Sequence, residues 1–310
     1  MRLSVIIPTH NRGSLLREAI SSVVRQNIAR SEVIVCDDGS TEDMSTTRDH
    51  VSVSESQVIW SRTEACQGAQ VARNRGLALA RGDVVLFLDS DDVLADEGMA
   101  PLLHAFEANP ALNYAWGKVI RTDEQLKPLP GSSPVGSPCS DSPVEAAGYH
   151  WHTLGAVYRK GYLEKVGPWN ESLTGSQDWE YQSRVKLAGG RGQFIDTVVG
   201  YWREHGGSRV GTKFFRPDYV RSVMLACDSI LQHARKAGRC DHALERRLAK
   251  KLMLHALEYG ANGYSAERNN CFKQAASCLS ADSVFRDVIR LLPFTPTIFD
   301  TLLWRSLIRK

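Results

Sequence analysis

The sequence predicts an α/β fold in which a mostly parallel β-sheet is flanked by helices and followed by a C-terminal helical extension. Three observations support this class. Apolar runs alternate with segments of helical spacing over the first hundred residues. Polar clusters follow three of the apolar runs, at Thr9–Arg12, Asp37–Ser40 and Asp89–Asp92. From about residue 215 onward the pattern is purely helical.

The first hundred residues contain four predicted strands and two predicted helices. The strands are Leu3–Pro8, the run EVIVC before Asp37, Gln57–Trp60, and the run VVLFL before Asp89. Helical spacing predicts a helix over Ser14–Gln26 with Ser14 as its N-cap. A second helix covers QVARNRGLALA, and Gly82 is expected to end it. Since ligands bind at the carboxyl ends of parallel strands, the three polar clusters predict one shared site.

The middle of the chain predicts a long loop followed by shorter elements. Pro128–Pro143 is rich in Pro, Gly and Ser, which is typical of a loop. A short helix is expected near Gly161–Val166, and a second around Trp179–Leu187, ended by Gly189. The run QFIDTVVGYW predicts a further strand. In the C-terminal part, Leu244, Leu248 and Leu252 share one helical face.

The composition is that of an ordinary globular protein, with 43% hydrophobic and 24% charged residues among 310. Seven cysteines without a CxxC pair favour a reduced, cytoplasmic protein over a disulfide framework or a zinc site. The first apolar run is short and broken by Pro8, so a signal peptide is not expected. No run approaches the roughly 18 apolar residues that cross a bilayer. Nothing in the composition predicts a nucleic-acid ligand.

Charge is unevenly distributed along the chain. Residues 1–215 carry 22 basic against 26 acidic side chains, whereas residues 216–310 carry 16 against 9. The tail alternates bulky apolar groups with basic ones, namely Arg286, Arg290, Arg305, Arg309 and Lys310. This pattern favours peripheral contact with the anionic inner face of a membrane. The alternative is a helical bundle that packs on the catalytic domain or on a partner subunit in a homo-oligomer.

Five segments together resemble family 2 glycosyltransferases, which have a type A, Rossmann-like nucleotide-diphospho-sugar transferase fold. They are VIIPTHNR, VIVCDDGSTED, GAQVARNRGLALARGDVVLFLDSDD, SQDWE and YWREHGGS. The resemblance implies a catalytic domain at 1–215 that binds a nucleotide-diphospho-sugar donor, and a helical region at 216–310. It also implies inverting transfer of a single sugar, from a UDP-sugar in most relatives, to a hydroxyl of a glycan or a lipid-linked acceptor in polysaccharide synthesis.

A divalent cation is expected because the diphosphate leaving group gains charge as the glycosidic bond breaks. Mn²⁺ and Mg²⁺ prefer carboxylate oxygens. Asp91 and Asp92 are the predicted metal ligands, with Asp89 as a supporting carboxylate. The resemblance adds His205 near the diphosphate or metal. The alternative for the aspartates is a solvated turn.

The resemblance also implies a set of donor-binding residues. Asp37 or Asp38 is expected to accept a hydrogen bond from the base, although a turn-capping role is the alternative for both. Arg73 is expected near the base or diphosphate, with Arg75 as its competitor. The full set is Pro8, Thr9, Asn11, Arg12, Asp37, Asp38, Arg73, Asp89, Ser90 and Asp91.

Inversion needs one general base that takes the proton of the acceptor hydroxyl. Asp178 matches the catalytic aspartate of the family, although Gln177 stands where relatives usually have Glu. Glu180 is the alternative base. Trp151, His152 and Trp179 are candidates for acceptor binding, since pyranose faces stack on aromatic rings; buried packing is the alternative for these.

Two other function classes remain open on the sequence. A sugar-phosphate nucleotidylyltransferase shares the fold, but PTHNRG lacks the Gly-rich phosphate loop expected of that class. A catalytically inactive binding subunit would not need the intact aspartate set. Processive synthases carry a Gln-x-x-Arg-Trp motif, and YQSRVK has no Trp after its Arg, which favours single-sugar transfer.

Overall fold

The computed structural model describes residues 1–51, 57–204 and 217–281, together with 283, 286, 287 and 289. Among these residues the strands are β1 Leu3–Thr9, β2 Ser31–Asp37, β3 Gln57–Arg62, β4 Val84–Phe87, β5 Val93–Leu94, β6 Leu112–Thr122, β7 Ala156–Arg159 and β8 Arg191–Arg203. The helices are α1 Gly13–Val24, α2 Ser45–Val51, α3 Ala69–Leu79, α4 Ala100–Ala108, α5 Pro143–Ala146, α6 Lys160–Val166, α7 Gln177–Leu187, α8 Pro217–Lys236, α9 His242–Ala261 and α10 Ser265–Cys278.

The strands form one mixed, mostly parallel sheet in the order β3-β2-β1-β4-β7-β6-β8-β5. β1 pairs in parallel with β2 and β4, and β2 pairs in parallel with β3. β7 runs antiparallel to both β4 and β6, and β5 runs antiparallel to β8. The predicted fold class is confirmed. Because the chain continues on opposite sides of β1, the carboxyl ends of β1, β2 and β4 lie side by side at a topological switch point.

The chain divides into two compact units. The sheet unit consists of the described residues of Met1–Ser140, Tyr149–Glu171 and Gly189–Gly207. The helical unit consists of the described residues of Asp141–Gly148, Ser172–Ala188 and Ser208–Lys310. Helix α7 therefore packs with the C-terminal helices. The predicted division into a catalytic domain 1–215 and a helical region 216–310 stays a prediction about function.

Each unit has its own apolar core. Val5, Ile7 and Leu86 lie on one face of the central strands and Ile6, Val85 and Phe87 on the other. All are buried, which explains the continuous apolar runs of these strands. In the helical unit the predicted face of Leu244, Leu248 and Leu252 is fully buried. Asp241 caps the helix that carries this face, since its Oδ1 accepts a hydrogen bond from Leu244 N at 2.8 Å.

Two predicted helix boundaries are wrong. Ser14 is not an N-cap, because α1 begins at Gly13 and Arg12 occupies the N-cap position. α3 ends at Leu79, and Ala80 is already extended, so Gly82 does not end the helix. Gly82 instead allows close packing, since a Cβ there would lie 2.6 Å from Ser4 Oγ.

The segment Pro128–Pro143 is a loop for most of its length, as predicted. Isolated bridges join Val135 to Val119 and Pro128 to Thr122, so the loop runs along β6. Pro143 is the first residue of α5.

The amino-terminal edge of the sheet contains a buried carboxylate. Glu32 is fully buried and its carboxylate accepts hydrogen bonds from Arg2 Nη2 at 2.5 Å, Ser4 Oγ at 2.6 Å and Arg81 N at 2.6 Å. The carboxylate thus joins β1, β2 and the connection that enters β4.

We expect Glu32→Ala to lower the free energy of unfolding by about 3 kcal/mol, because it leaves buried donors without an acceptor. Urea denaturation measures the change. Glu107→Ala, at an exposed position of α4, is the matched control and should change stability by less than about 0.5 kcal/mol. An equal effect of both variants would contradict a structural role for the Glu32 network.

Two predictions concern residues outside the described part of the chain. His205, the expected metal contact, lies outside the described residues, as do Arg290, Arg305, Arg309 and Lys310 of the predicted membrane-contact segment. Among the described residues, no helix combines the length and apolarity needed to cross a membrane.

Candidate active site

The end of β1 presents a buried hydroxyl at the switch point. Thr9 is the last residue of β1 and only 3% exposed, and its Oγ1 has no hydrogen-bond partner among the described residues. Pro8 precedes it and is buried in the same strand. A buried hydroxyl without a partner is costly, so a bound ligand at this strand end would satisfy it.

The residues after β1 fasten its end to the end of β2. Asn11 has a φ of 52°, and its Oδ1 accepts hydrogen bonds from Thr41 N at 2.7 Å and Glu42 N at 3.1 Å. Asn11 N in turn donates to Ser40 Oγ at 2.9 Å. His10, which is not among the predicted site residues, lies with its Nδ1 2.8 Å from Asp38 O. The two strand ends therefore form one cross-linked rim.

Asp37 and Asp38 are both buried and both organise turns. Asp37 Oδ1 accepts a hydrogen bond from Ser40 N at 2.9 Å, as in the turn-capping alternative. Asp38 accepts from Gln67 N at 2.9 Å and from Gly68 N at 2.7 Å, and so shapes the loop that enters α3. Thr63 Oγ1 at 3.3 Å and Cys66 Sγ at 3.2 Å also donate to Asp38, so each of its carboxylate oxygens accepts two hydrogen bonds, whereas Asp37 keeps acceptor capacity. Contact of either residue with a base stays a prediction.

Asp89, directly after β4, is paired with Arg73 of α3. Arg73 Nη2 lies 2.6 Å from Asp89 Oδ1, and the guanidinium lies over the ring of Trp169 at 4.5 Å from its centroid. Desolvation favours the neutral acid, but the charge of Arg73, aided by His152 and Arg12, outweighs it and lowers the pKa of Asp89. Asp89 is thus held as a carboxylate.

Arg75, the competitor of Arg73, has a different role. Its Nη2 donates to Ser61 Oγ at 2.8 Å and to Arg62 O at 2.9 Å, which ties α3 to β3. Arg73 is therefore the arginine of this motif that reaches the aspartate turn.

The other two aspartates of the turn differ in accessibility. Asp91 Oδ2 lies 2.7 Å from Arg12 Nη1, and its side chain is 13% exposed. Asp92 is only 1% exposed; its Oδ1 accepts a hydrogen bond from Arg203 N at 3.0 Å, and its Oδ2 lies 3.9 Å from His152 Nδ1. Ser90, between Asp89 and Asp91, is buried. Each aspartate thus has a basic neighbour from a different part of the sequence, which offsets the repulsion among the three.

The described residues contain no group of three or more His, Cys, Asp or Glu side chains arranged to hold a metal ion. Proteins usually bind Mg²⁺ through one or two carboxylates, and substrate phosphates supply further ligands. Asp91 suits such a ligand, since its carboxylate is partly accessible at the strand end. Asp92 is buried and anchors β8. Metal binding by Asp91, Asp92 or His205 stays a prediction.

The aromatic candidates in the sheet unit are packed. Trp151 is fully buried, its Nε1 donates to Tyr158 Oη at 2.9 Å, and its ring centroid lies 5.0 Å from that of Trp116. His152 is 7% exposed and stacks on Trp202 at 4.8 Å. For Trp151 the structure shows buried packing, which was the alternative to acceptor binding. Acceptor contact by His152 stays a prediction.

Asp178 and its neighbours belong to the helical unit. Asp178 is the second residue of α7 and half-buried; its Oδ1 accepts a hydrogen bond from Trp179 N at 2.8 Å. The Asp178 carboxylate has no other hydrogen bond within the described residues. Trp179 is 5% exposed, and its Nε1 donates to Ala147 O at 2.9 Å. The second carboxylate oxygen of Asp178 is therefore able to accept a proton.

Glu180, the alternative base, is fully buried in an ion pair. Its oxygens accept from Arg184 Nε at 2.7 Å and Nη2 at 3.0 Å, and Ser229 Oγ donates to Oε1 at 2.5 Å. A carboxylate committed to these partners stabilises the packing of α7 on α8. Of the two acidic residues, Asp178 is the one available for chemistry.

Residues 4–163 match the sequence model of the family described as Glycosyl transferase family 2. An uncharacterized glycosyltransferase of Nostoc sp. is 33% identical over 177 residues, which are 54% of each chain. A UDP-Glc:alpha-D-GlcNAc-diphosphoundecaprenol beta-1,3-glucosyltransferase of Escherichia coli is 33% identical over 106 residues, 34% of this chain and 41% of that protein. The matches thus span about half or less of the length of these curated relatives.

Two solved structures share the fold. S. aureus TarS 1–349 in complex with UDP-GlcNAc superposes with a TM-score of 0.70 and 20% identity, covering 99% of this chain and 90% of that chain. A mannosyltransferase from Pyrobaculum calidifontis, in complex with GDP-Man and Mn²⁺, gives a TM-score of 0.53 and 19% identity, covering 99% and 85%. At these identities the likeness establishes the fold.

Proposed function

This chain belongs to glycosyl transferase family 2 and is a glycosyltransferase, and we propose that it moves a single sugar from a UDP-sugar to a hydroxyl with inversion. One observation carries the proposal: Thr9 Oγ1, which has no hydrogen-bond partner in the described part of the chain, and the Arg12–Asp91 and Arg73–Asp89 pairs all follow strands that end at one switch point. This arrangement offers both cations and carboxylates to a diphosphate.

The nature of the donor and acceptor is supported by the names of similar proteins. The E. coli relative is named for UDP-Glc and for an acceptor linked to diphosphoundecaprenol, and TarS was solved with UDP-GlcNAc. The archaeal mannosyltransferase was solved with GDP-Man, so the fold accommodates more than one base. We favour UDP as the nucleotide, and a glycan or lipid-linked acceptor.

Asp91 is the proposed protein ligand of a Mn²⁺ or Mg²⁺ ion. The cation, when bound, neutralises the negative charge that develops on the leaving diphosphate. Arg12 contacts the Asp91 carboxylate, which places a guanidinium cation beside the proposed metal ligand. Arg73, which stacks on Trp169 and forms an ion pair with Asp89, supplies a second planar cation at the strand ends.

Asp178 is the proposed general base. In the transfer step the acceptor oxygen forms a bond to the anomeric carbon while the bond from that carbon to the diphosphate oxygen breaks. The hydroxyl proton passes to the Asp178 carboxylate, and the electron pair of the broken bond leaves with the nucleoside diphosphate. Attack opposite to the leaving group inverts the configuration.

A turnover experiment tests this function. The purified chain is incubated with UDP-, GDP- and dTDP-sugars, with Mn²⁺ or EDTA, and released nucleoside diphosphate is measured with and without candidate acceptors. We expect metal-dependent release of UDP, and a product whose NMR spectrum shows the inverted anomeric configuration. If the chain instead joined a nucleoside triphosphate to a sugar phosphate and released pyrophosphate, it would be a nucleotidylyltransferase. Donor binding without any turnover would indicate a binding subunit.

A further inference from the structure

We propose that Asp92 is a positioning residue, whose carboxylate ties the aspartate turn to the end of β8 and so holds Asp91 at the proposed cation site. This assigns Asp92 a role other than that of a metal ligand. The inference rests on the proposed role of Asp91 in binding the cation. The groups that carry it, on the turn, on β8 and on α1, all belong to the sheet unit.

The aspartate turn, Asp89–Asp92, is closed at its base by the main chain. Asp92 N donates a hydrogen bond to Asp89 O at 3.0 Å, which makes Ser90 and Asp91 the two central residues of a β-turn. Asp91 therefore lies at the tip of the turn. The direction in which its carboxylate points depends on how the two ends of the turn are held.

Each end of the turn is held by its own aspartate side chain. At the first end, Asp89 is fixed by its ion pair with Arg73 at 2.6 Å. At the second end, Asp92 Oδ1 accepts a hydrogen bond from Arg203 N at 3.0 Å. β5 starts at the next residue and pairs antiparallel with β8, so this bond adds a side-chain link to the main-chain pairing of the two strands.

Burial separates Asp92 from Asp91. The side chain of Asp92 is 2% exposed, against 13% for that of Asp91. A buried carboxylate has to find its hydrogen-bond donors inside the protein, and the Arg203 N–H is such a donor. A cation that also binds substrate phosphates needs carboxylate oxygens that the substrate can approach. The contrast favours Asp91 as the ligand and Asp92 as its anchor.

The end of β8 that receives Asp92 is itself held on two sides. The Arg203 guanidinium is buried, and its Nη2 lies 2.6 Å from Glu18 Oε2 of α1. On the other side β8 pairs with β6, and Glu204 N donates a hydrogen bond to Thr122 O at 2.8 Å. Because α1 and β6 both fix this strand end, the hydrogen bond from it to Asp92 restrains the aspartate turn as well.

The test compares Asp92→Asn with Asp92→Ala in the full chain, by calorimetric titration with Mn²⁺ in the presence of UDP. Asp92→Asn removes the negative charge but keeps an oxygen that can accept the hydrogen bond from Arg203 N. We expect its affinity for Mn²⁺ to stay within about threefold of wild type. Asp92→Ala also removes the acceptor, and we expect its affinity for Mn²⁺ to fall by about tenfold or more.

Two further variants serve as references. Asp91→Asn removes the proposed ligand and should weaken Mn²⁺ binding more than Asp92→Asn does. Glu32→Ala destabilises the sheet at its amino-terminal edge, away from the site, and should bind Mn²⁺ as wild type does. Thermal unfolding without metal or nucleotide measures the stability of each variant, so that a loss of Mn²⁺ affinity can be compared with a loss of stability.

The outcomes separate the alternatives. If Asp92→Asn loses as much Mn²⁺ affinity as Asp91→Asn, Asp92 is a ligand and the proposal is overturned. Wild-type affinity in Asp92→Ala would also overturn it, as would an equal loss in Glu32→Ala, which would indicate general instability. If Asp92→Ala shows no cooperative thermal unfolding, Asp92→Val takes its place. Failure of the wild-type chain to bind Mn²⁺ with UDP is a different result and would contradict the proposed function, on which this inference rests.

Discussion

Asp178→Asn is expected to lower kcat for sugar transfer by about 10³-fold while leaving the affinity for UDP within about twofold. The amide keeps the shape of the side chain and its hydrogen bond from Trp179 N, but it cannot take a proton at neutral pH. Steady-state turnover gives kcat, and calorimetric titration gives the affinity.

Asp141→Asn is the control for that experiment. Asp141 is an exposed residue of the same helical unit and should retain wild-type turnover after substitution. Retention of more than a tenth of wild-type kcat by Asp178→Asn would remove Asp178 from the mechanism. Glu180 could not replace it, because that carboxylate is buried against Arg184 and Ser229.

Asp91→Asn is expected to lower kcat/KM for the donor by about 10²-fold or more and to raise the Mn²⁺ concentration needed for half-maximal activity. The substitution removes the charge of a partly accessible carboxylate in the turn after β4, and with it the ion pair between Asp91 and Arg12. Turnover measured over a series of Mn²⁺ concentrations separates the metal effect from a general loss of activity.

The matched control for this variant is Asp96→Asn, which removes an exposed carboxylate five residues further along the chain. It should leave both kcat/KM and the Mn²⁺ dependence unchanged. An Asp91→Asn enzyme with the Mn²⁺ dependence of wild type would show that another group binds the cation.

The amino-terminal half of the sheet was predictable because its strands are short apolar runs separated by helices. β1 and β2 are buried on both faces, so their sequences are nearly all apolar. β7 was not predicted, because it is four residues long and its antiparallel position between β4 and β6 depends on non-local pairing. β5, with two residues, is equally beyond a local pattern.

Within the candidate site, the sequence predicted which strand ends carry polar groups but not how their charges are balanced. The partners of Asp89, Asp91 and Asp92 come from α3, from the turn after β1 and from the segment before β7. Such long-range pairs leave no periodic signal. The Glu180–Arg184 pair was an available signal, since its i, i+4 spacing is that of a helical salt bridge.

Burial of the aromatic residues was the other feature that the sequence left open. Tryptophan is a residue type that often stacks on sugar rings. Yet the indole N–H groups of Trp151 and Trp179 both donate hydrogen bonds to partners inside the protein. Only the packing around each ring distinguishes the two roles. The opposite case is Trp169, which contacts Arg73 of the candidate site although nothing in its local sequence predicts such a role.

The central claim is that the ends of β1, β2 and β4 bind a nucleotide-diphospho-sugar together with a divalent cation. Calorimetric titration of the wild-type chain with UDP, in Mn²⁺ and then in EDTA, tests it most directly. We predict saturable binding of one UDP per chain with an affinity that falls in EDTA. In the Asp91→Asn variant, EDTA should change the affinity for UDP little. Absence of binding by UDP, GDP and dTDP alike, with Mn²⁺ present, would contradict the claim.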